Sequence, residues 1–158
     1  MQPDDKTMNR VGDILVIGYG NKLRGDDGVG PRVAEALALM HLPGVRTVAC
    51  QLLTPELADS IAQADVAIFV DASVDAPHEI RLRPLEPNES SQIMAHAADP
   101  RTMLALARDV FGHAPRAWWL TVPATKLGFS AQLSPEAQLG FVEAVDKLVA
   151  LCQSLQKC

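Results

Sequence analysis

The stretch Ile17-Gly18-Tyr19-Gly20-Asn21-Lys22-Leu23-Arg24-Gly25-Asp26-Asp27-Gly28-Val29-Gly30 decides how this chain folds. An apolar run over residues 14–17 enters it, and apolar residues at helical spacing over 33–37 follow it. The pattern predicts a strand, a glycine-rich turn and a helix, an arrangement that nucleotide-binding proteins use to hold a phosphate at a helix N-terminus. Here the turn carries two adjacent carboxylates, Asp26 and Asp27, which repel an anion. The predicted site therefore suits a cation or acid–base chemistry.

Two nucleotide-binding motifs come close to this stretch without matching it. A dinucleotide fingerprint needs a third glycine in Gly-x-Gly-x-x-Gly, and Leu23 stands at that position. A P-loop needs Gly-Lys-Ser/Thr, and no such tripeptide follows. A nucleotide-binding α/β protein therefore stays a minor alternative.

Composition narrows the class of protein further. The chain has 158 residues, of which 48% are hydrophobic and 21% charged, so we expect one globular domain with residues 1–12 as a flexible leader. A net charge of −5 without a basic cluster argues against nucleic acid as a partner, and the apolar runs are too short to span a membrane. Three widely spaced cysteines predict reduced thiols in a cytoplasmic protein rather than disulfides or a zinc site.

Strand and helix patterns alternate along the chain. Strands are predicted at 13–18, 45–52, 66–70, 79–85 and 117–122, and helices at 29–40, 55–63, 100–110 and 136–155. Thr54, Asp99 and Ser134, each followed by proline, are the expected helix caps. Trp118 and Trp119 should point to opposite faces of the last strand. The alternation predicts an α/β three-layer sandwich, with a mostly parallel, five-stranded twisted sheet, helices on both faces and strand 79–85 at an edge.

Three side chains are expected to meet at the carboxyl edge of this sheet, where ligands of such folds bind. Asp27 lies in the first turn, Asp71 follows the strand at 66–70, and His96 lies in the predicted loop over 87–98. Two carboxylates and an imidazole suit a borderline divalent metal such as nickel, zinc or iron. Three protein ligands would also leave coordination positions open for a substrate.

Each of these residues also has a purely structural interpretation. Asp26 or Asp27 could cap the helix that follows, where a carboxylate is favourable. Asp71 could start a turn, and His96 could be a solvated loop residue. The residues alone therefore indicate a metal-linked or acid–base site and leave its reaction open.

The stretch 18–30 resembles the pattern Gly-x-Gly-Asn-x-Leu-x-x-Asp-Asp/Glu-Gly-x-Gly of the hydrogenase maturation proteases, which process nickel–iron hydrogenase large subunits. Residues 66–71, His96 with the segment 100–107, and residues 133–136 resemble further segments of that family. The likeness is greatest to the proteases of bidirectional, NAD-reducing hydrogenases, and it rests on residues 18–21, 53–58, 85–89 and 117–119.

The resemblance implies an endopeptidase that removes the C-terminal extension of a large-subunit precursor after nickel has been inserted. It implies that Asp27, Asp71 and His96 contact the nickel in the substrate, and that Asp27 and Asp71 are the catalytic carboxylates. The free enzyme is then expected to be metal-free, monomeric and cytoplasmic. Many members have glutamate where Asp27 stands, and many have Asp-Gly-Gly where this chain has residues 51–53. The alternative is a binding protein that senses the nickel centre without cutting.

Overall fold

The computed structural model describes residues 11–75, 79–89 and 99–157, and these form one sheet covered by helices on both faces. The strand order is β2-β1-β3-β5-β4, and only β4 runs antiparallel to its neighbour. The strands are β1 (Ile14–Tyr19), β2 (Val45–Cys50), β3 (Val66–Ser73), β4 (Arg81–Leu85) and β5 (Arg116–Pro123). The α-helices are α1 (Val29–Leu39), α2 (Leu57–Ala62), α3 (Pro100–Phe111) and α4 (Pro135–Gln156). The predicted three-layer α/β architecture, with β4 at an edge, is confirmed.

Alternation along the strands creates two separate cores. Ile14 and Val16 of β1 face α1 and α4, whereas Leu15 and Ile17 face α2 and α3. On β5, Trp118 packs against the first core and Trp119 against the second, as the alternation predicted. Each face of the sheet is therefore closed by a helix pair, and the carboxyl ends of the parallel strands meet at one edge.

Several boundaries differ from those predicted. β3 continues through Ser73 because Asp71, Ala72 and Ser73 pair with the last residues of β5. Asp71 therefore lies within a strand, and the alternative that it starts a turn is wrong. The second helix begins at Leu57 rather than at 55, and Thr54 does not cap it: the Leu57 N–H donates to the Thr54 carbonyl oxygen at 3.0 Å.

The other two predicted caps are confirmed. The Asp99 side chain accepts from the Arg101 N–H, and the Ser134 side chain accepts from the Ala137 N–H, each ahead of a proline in the first turn. Cys50 and Cys152 are free thiols, and burial raises the pKa of Cys152 to about 11. Among the described residues, no helix has the length and apolarity needed to cross a membrane.

Candidate functional site

The turn between β1 and α1 is built by glycines that allow three backbone segments to approach closely. A Cβ on Gly30 would lie 2.5 Å from the Tyr19 carbonyl oxygen and 2.6 Å from that of Val70. Gly20 has a φ of +144°, and a Cβ there would lie 1.9 Å from the Asp27 carbonyl oxygen. The glycines thus pack the start of α1 against the ends of β1 and β3, which brings Asp27 to the carboxyl edge of the sheet.

The turn holds Asp27 by one of its carboxylate oxygens. Asp27 Oδ2 accepts a hydrogen bond from the Asn21 N–H at 2.7 Å, and Asn21 Oδ1 accepts from the Leu23 N–H at 2.9 Å. Within the described ranges, the second oxygen, Asp27 Oδ1, accepts no hydrogen bond. Asp27 is half-buried, so this oxygen is available to a ligand that enters the site.

Asp26 has a different role, although it is adjacent to Asp27. It is fully buried, and its carboxylate accepts five hydrogen bonds, all from the segment after β5. The donors are the Ser134 N–H and Oγ (both 2.7 Å), the Thr125 N–H (2.9 Å) and Oγ1 (3.3 Å), and the Lys126 N–H (3.0 Å). Burial raises the pKa of Asp26, but these hydrogen bonds outweigh it and hold that pKa below its ordinary value. Asp26 therefore fastens the turn to the segment 125–134, and neither aspartate caps a helix through its side chain.

Asp71 lies near the carboxyl end of β3 and is half-buried. Burial raises its pKa to about 6, although hydrogen bonds from the Tyr19 hydroxyl and the Ala72 N–H work in the opposite direction. The negative charge of Asp27 raises this pKa further, so the two carboxylates lie close enough to interact. A pair of close carboxylates binds a cation well, because the cation removes their mutual repulsion.

Tyr19 is a site residue that the sequence reasoning did not single out for its chemistry. Its side chain is buried, and its hydroxyl donates to Asp71. Burial, followed by the charge and hydrogen bond of Asp71, raises the pKa of Tyr19 far above its usual range, so this hydroxyl stays a donor. The sequence feature that could have pointed to Tyr19 is the period-two alternation of β1, which places its side chain on the same face as Leu15 and Ile17.

The structure thus brings together two of the three predicted site residues. His96 lies outside the described residues, so its place beside the carboxylates stays a prediction. Among the residues that are described, no group of three His, Cys, Asp or Glu side chains is arranged to hold a metal ion. Asp27 and Asp71 alone provide a dicarboxylate edge that would need further ligands from elsewhere.

Comparison with known proteins gives matches at the level of structure. No protein-family model and no curated protein sequence matches the chain. The solved structure of the hydrogenase maturating endopeptidase HybD from E. coli is 25% identical with a TM-score of 0.70, over 90% of this chain and 93% of that one. The hydrogenase 2 maturation peptidase from Thaumarchaeota archaeon SCGC_AB-539-E09 is 23% identical with a TM-score of 0.65, over 89% and 97% of the two chains.

A third structure, the [NiFe] hydrogenase maturation protease HybD from Thermococcus kodakarensis, is 20% identical with a TM-score of 0.66, over 88% of this chain and 98% of that one. These three structures are named as peptidases of hydrogenase maturation, and each is matched along nearly its whole length. This chain shares their fold.

Proposed function

We propose that this chain is a hydrogenase maturation endopeptidase that removes the C-terminal extension of a nickel–iron hydrogenase large-subunit precursor once nickel has been inserted. The observation that carries the proposal is the near full-length likeness to structures named as maturation peptidases. The proximity of the Asp27 and Asp71 carboxylates at the carboxyl edge of the sheet supports it. The precursor of a bidirectional, NAD-reducing hydrogenase is the proposed substrate, because the sequence resemblance is greatest to that subgroup.

The nickel belongs to the substrate in this proposal. Asp27 Oδ1 is open to it, and Asp71, whose carboxylate interacts with the Tyr19 hydroxyl and the Ala72 N–H, lies at the same edge. His96 is the proposed third contact. Binding of these side chains to the precursor's metal would position the scissile peptide beside the carboxylates, and orientation of this kind supplies several kcal/mol of a barrier. Cleavage would then depend on a metal-loaded precursor, since without the metal the scissile peptide bond is not positioned at the two carboxylates.

The bond-breaking step adds a water molecule across the peptide. The water oxygen bonds to the carbonyl carbon, one water proton passes to a base, the C–N bond breaks, and the departing amine takes up a proton. Asp71, with a pKa raised to about 6 by burial, is suited to accept and return that proton near neutral pH. The substrate metal could instead polarise the carbonyl or the water, with the carboxylates acting as its ligands.

The decisive experiment measures the intact mass of a nickel-loaded precursor before and after incubation with the protein, beside a nickel-free precursor. Loss of the C-terminal extension only from the nickel-loaded sample is the expected result. Asp71→Asn and His96→Ala should each lower the cleavage rate by at least about 100-fold, in the range of lost acid–base catalysis. Asp146→Asn changes an exposed aspartate on α4 and serves as the matched control.

The second candidate function is a binding protein that senses the nickel centre without cutting. It uses the same dicarboxylate edge, and the mass measurement separates the two. A precursor that binds the protein but keeps its extension would support the binding protein, whereas equal cleavage by Asp71→Asn would refute the assignment of Asp71.

We further propose that the protein acts as a monomer in the cytoplasm, which a sedimentation measurement and fractionation of cells can test.

A further inference from the structure

A row of polar side chains crosses the carboxyl edge of the sheet from Asp71 to the edge strand. Asp71 on β3 pairs with Thr121 on β5, and Thr121 pairs in turn with Arg81 on β4. Residues that pair directly point to the same face of a sheet. Arg81 therefore lies on the same face as the candidate catalytic carboxylate, two strands away.

A second basic residue, Arg83, lies on the same face, two residues after Arg81 on β4. Arg83 pairs with Trp119, and its guanidinium carbon lies 5.5 Å from the centroid of the Trp119 ring. A cation–π contact of this kind contributes about 0.5–1 kcal/mol at an exposed site and holds the guanidinium over the ring. The contact therefore favours one orientation of the Arg83 side chain, although the residue is exposed.

Both arginines line a cleft of about 380 Å³ that also includes Asp71, Thr121 and Trp119. In the part of the chain that the structure describes, neither Arg81 nor Arg83 forms an ion pair or donates a side-chain hydrogen bond. The described ion pairs of arginine involve Arg46 and Arg108, on other surfaces. Two guanidiniums without a described anionic partner, in a cleft that opens beside Asp71, form an attractive site for an anion.

The anion that fits best is a single carboxylate. The planar fork of a guanidinium matches a carboxylate by two parallel hydrogen bonds. A polyanion is disfavoured, because Asp71 and Asp75 line the same cleft and the chain carries a net charge of −5. A polypeptide substrate offers carboxylates as Asp or Glu side chains and as its own C-terminus.

The sheet geometry sets how far this carboxylate lies from the reacting bond. Neighbouring strands are about 4.8 Å apart, so the backbone of Arg81 lies roughly 10 Å from that of Asp71. An extended peptide advances about 3.3 Å per residue. For an extended peptide that runs across the strands from Asp71 towards β4, the residue about three positions from the bond held at Asp71 lies beside Arg81.

We propose that Arg81 and Arg83 form a specificity site that binds a carboxylate of the substrate polypeptide about three residues from the cleaved bond. This inference rests on the proposed function for its substrate, and it adds a residue-level preference that the function does not require. The carboxylate can be an acidic side chain or the free C-terminus of the chain.

The first test measures binding without cleavage. Acetylated peptides Ala-Ala-Glu-Ala-Ala-amide, Ala-Ala-Gln-Ala-Ala-amide and Ala-Ala-Ala-Ala-Ala with a free C-terminus are titrated into the protein, and the arginine Nε–Hε signals are followed by NMR. We expect the Glu peptide to bind about tenfold more tightly than the Gln peptide. The affinity of the peptide with a free C-terminus, compared with that of the Gln peptide, shows whether an α-carboxylate binds at the same site. The preference should vanish in the variant Arg81→Gln/Arg83→Gln and persist in Arg116→Gln, which changes an exposed arginine at the other end of β5.

The second test uses the nickel-loaded precursor. The double variant should raise KM for cleavage about tenfold with little change in kcat, because it removes binding remote from the reacting atoms. Arg81→Lys/Arg83→Lys should recover part of that loss. An equal Glu preference in the double variant, or no preference in the wild-type protein, overturns the proposal. If the wild-type protein prefers the Glu peptide but never cleaves the precursor, the proposed function fails while the anion site stands.

Discussion

The adjacent aspartates 26 and 27 allow a prediction that separates structural from functional carboxylates. Asp26→Asn replaces one carboxylate oxygen by an amide group that can only donate, in a site where every partner is a donor. The least costly orientation places the amide nitrogen at Oδ1, opposite the Ser134 N–H at 2.7 Å. The remaining oxygen then keeps four hydrogen bonds at Oδ2, but these lose their charge assistance.

The magnitude follows from these contacts. A buried donor left facing another donor costs about 1–3 kcal/mol, and bonds to a charged acceptor exceed neutral ones by roughly 1 kcal/mol each in favourable geometry. Allowing for non-additivity, we expect Asp26→Asn to lower the free energy of unfolding by about 3–5 kcal/mol. This is a large fraction of the stability of a typical domain, and it corresponds to a fall in Tm of about 10 °C.

Asp27→Asn is the matched control, because it makes the same chemical change one residue away. Asp27 accepts one described hydrogen bond, from the Asn21 N–H, and an amide oxygen can keep it. We expect a loss of less than about 1 kcal/mol in stability. Urea unfolding followed by circular dichroism measures both variants, and precursor cleavage measures activity. Equal stability of the two variants, or a larger loss in Asp27→Asn, would refute the division of roles.

Three further predictions concern pH and packing. The pKa of Asp26 is lower in the folded than in the unfolded protein, so its contribution to the free energy of unfolding is present above about pH 4 and is lost as pH falls through the folded pKa. The wild-type protein should therefore lose more stability between pH 5 and pH 3 than Asp26→Asn does. Urea unfolding at both pH values measures this difference. Tyr19→Phe removes a hydrogen bond that lowers the pKa of Asp71, so the acidic limb of the pH–rate profile for cleavage, expected near pH 6, should move to higher pH. The cleavage rate at neutral pH should fall about tenfold. An unchanged pH–rate profile would exclude coupling between the two side chains. Gly30→Ala should destabilise the protein by more than about 2 kcal/mol, since its Cβ would lie 2.5 Å from the Tyr19 carbonyl oxygen, whereas Gly128→Ala meets no atom within 4 Å and should change Tm little.

Much of the fold could be predicted from the sequence because local patterns carry it. The apolar run of β3 predicted a strand buried on both faces, and proline after Asp99 and Ser134 predicted two helix starts correctly. The prediction failed where a distant partner decides the outcome. β3 extends to Ser73 because β5 pairs with it, and no local pattern in residues 71–73 predicts that pairing.

The same limit applies to the candidate site. The sequence places two carboxylates side by side, but it cannot tell which one is buried, because the donors to Asp26 lie about 100 positions later in the chain. It also cannot show that Tyr19 donates to Asp71, since that contact depends on the register of two parallel strands. His96 was predicted from the chain order and the family resemblance, and it lies outside the described residues.

The opposite environments of the two aspartates have a consequence for how such a site can work. A carboxylate that is meant to bind a metal in another protein must keep an oxygen free, yet a flexible carboxylate would lose entropy on binding. Asp26 anchors the turn by five hydrogen bonds and thereby fixes the backbone that carries Asp27. Asp27 then needs only one bond, from Asn21, to set its orientation, and its other oxygen stays available. Loosening the anchor should therefore weaken binding of the metal-loaded precursor even at temperatures where Asp26→Asn remains folded, and a KM that rises in that variant while its circular dichroism is native would show this coupling.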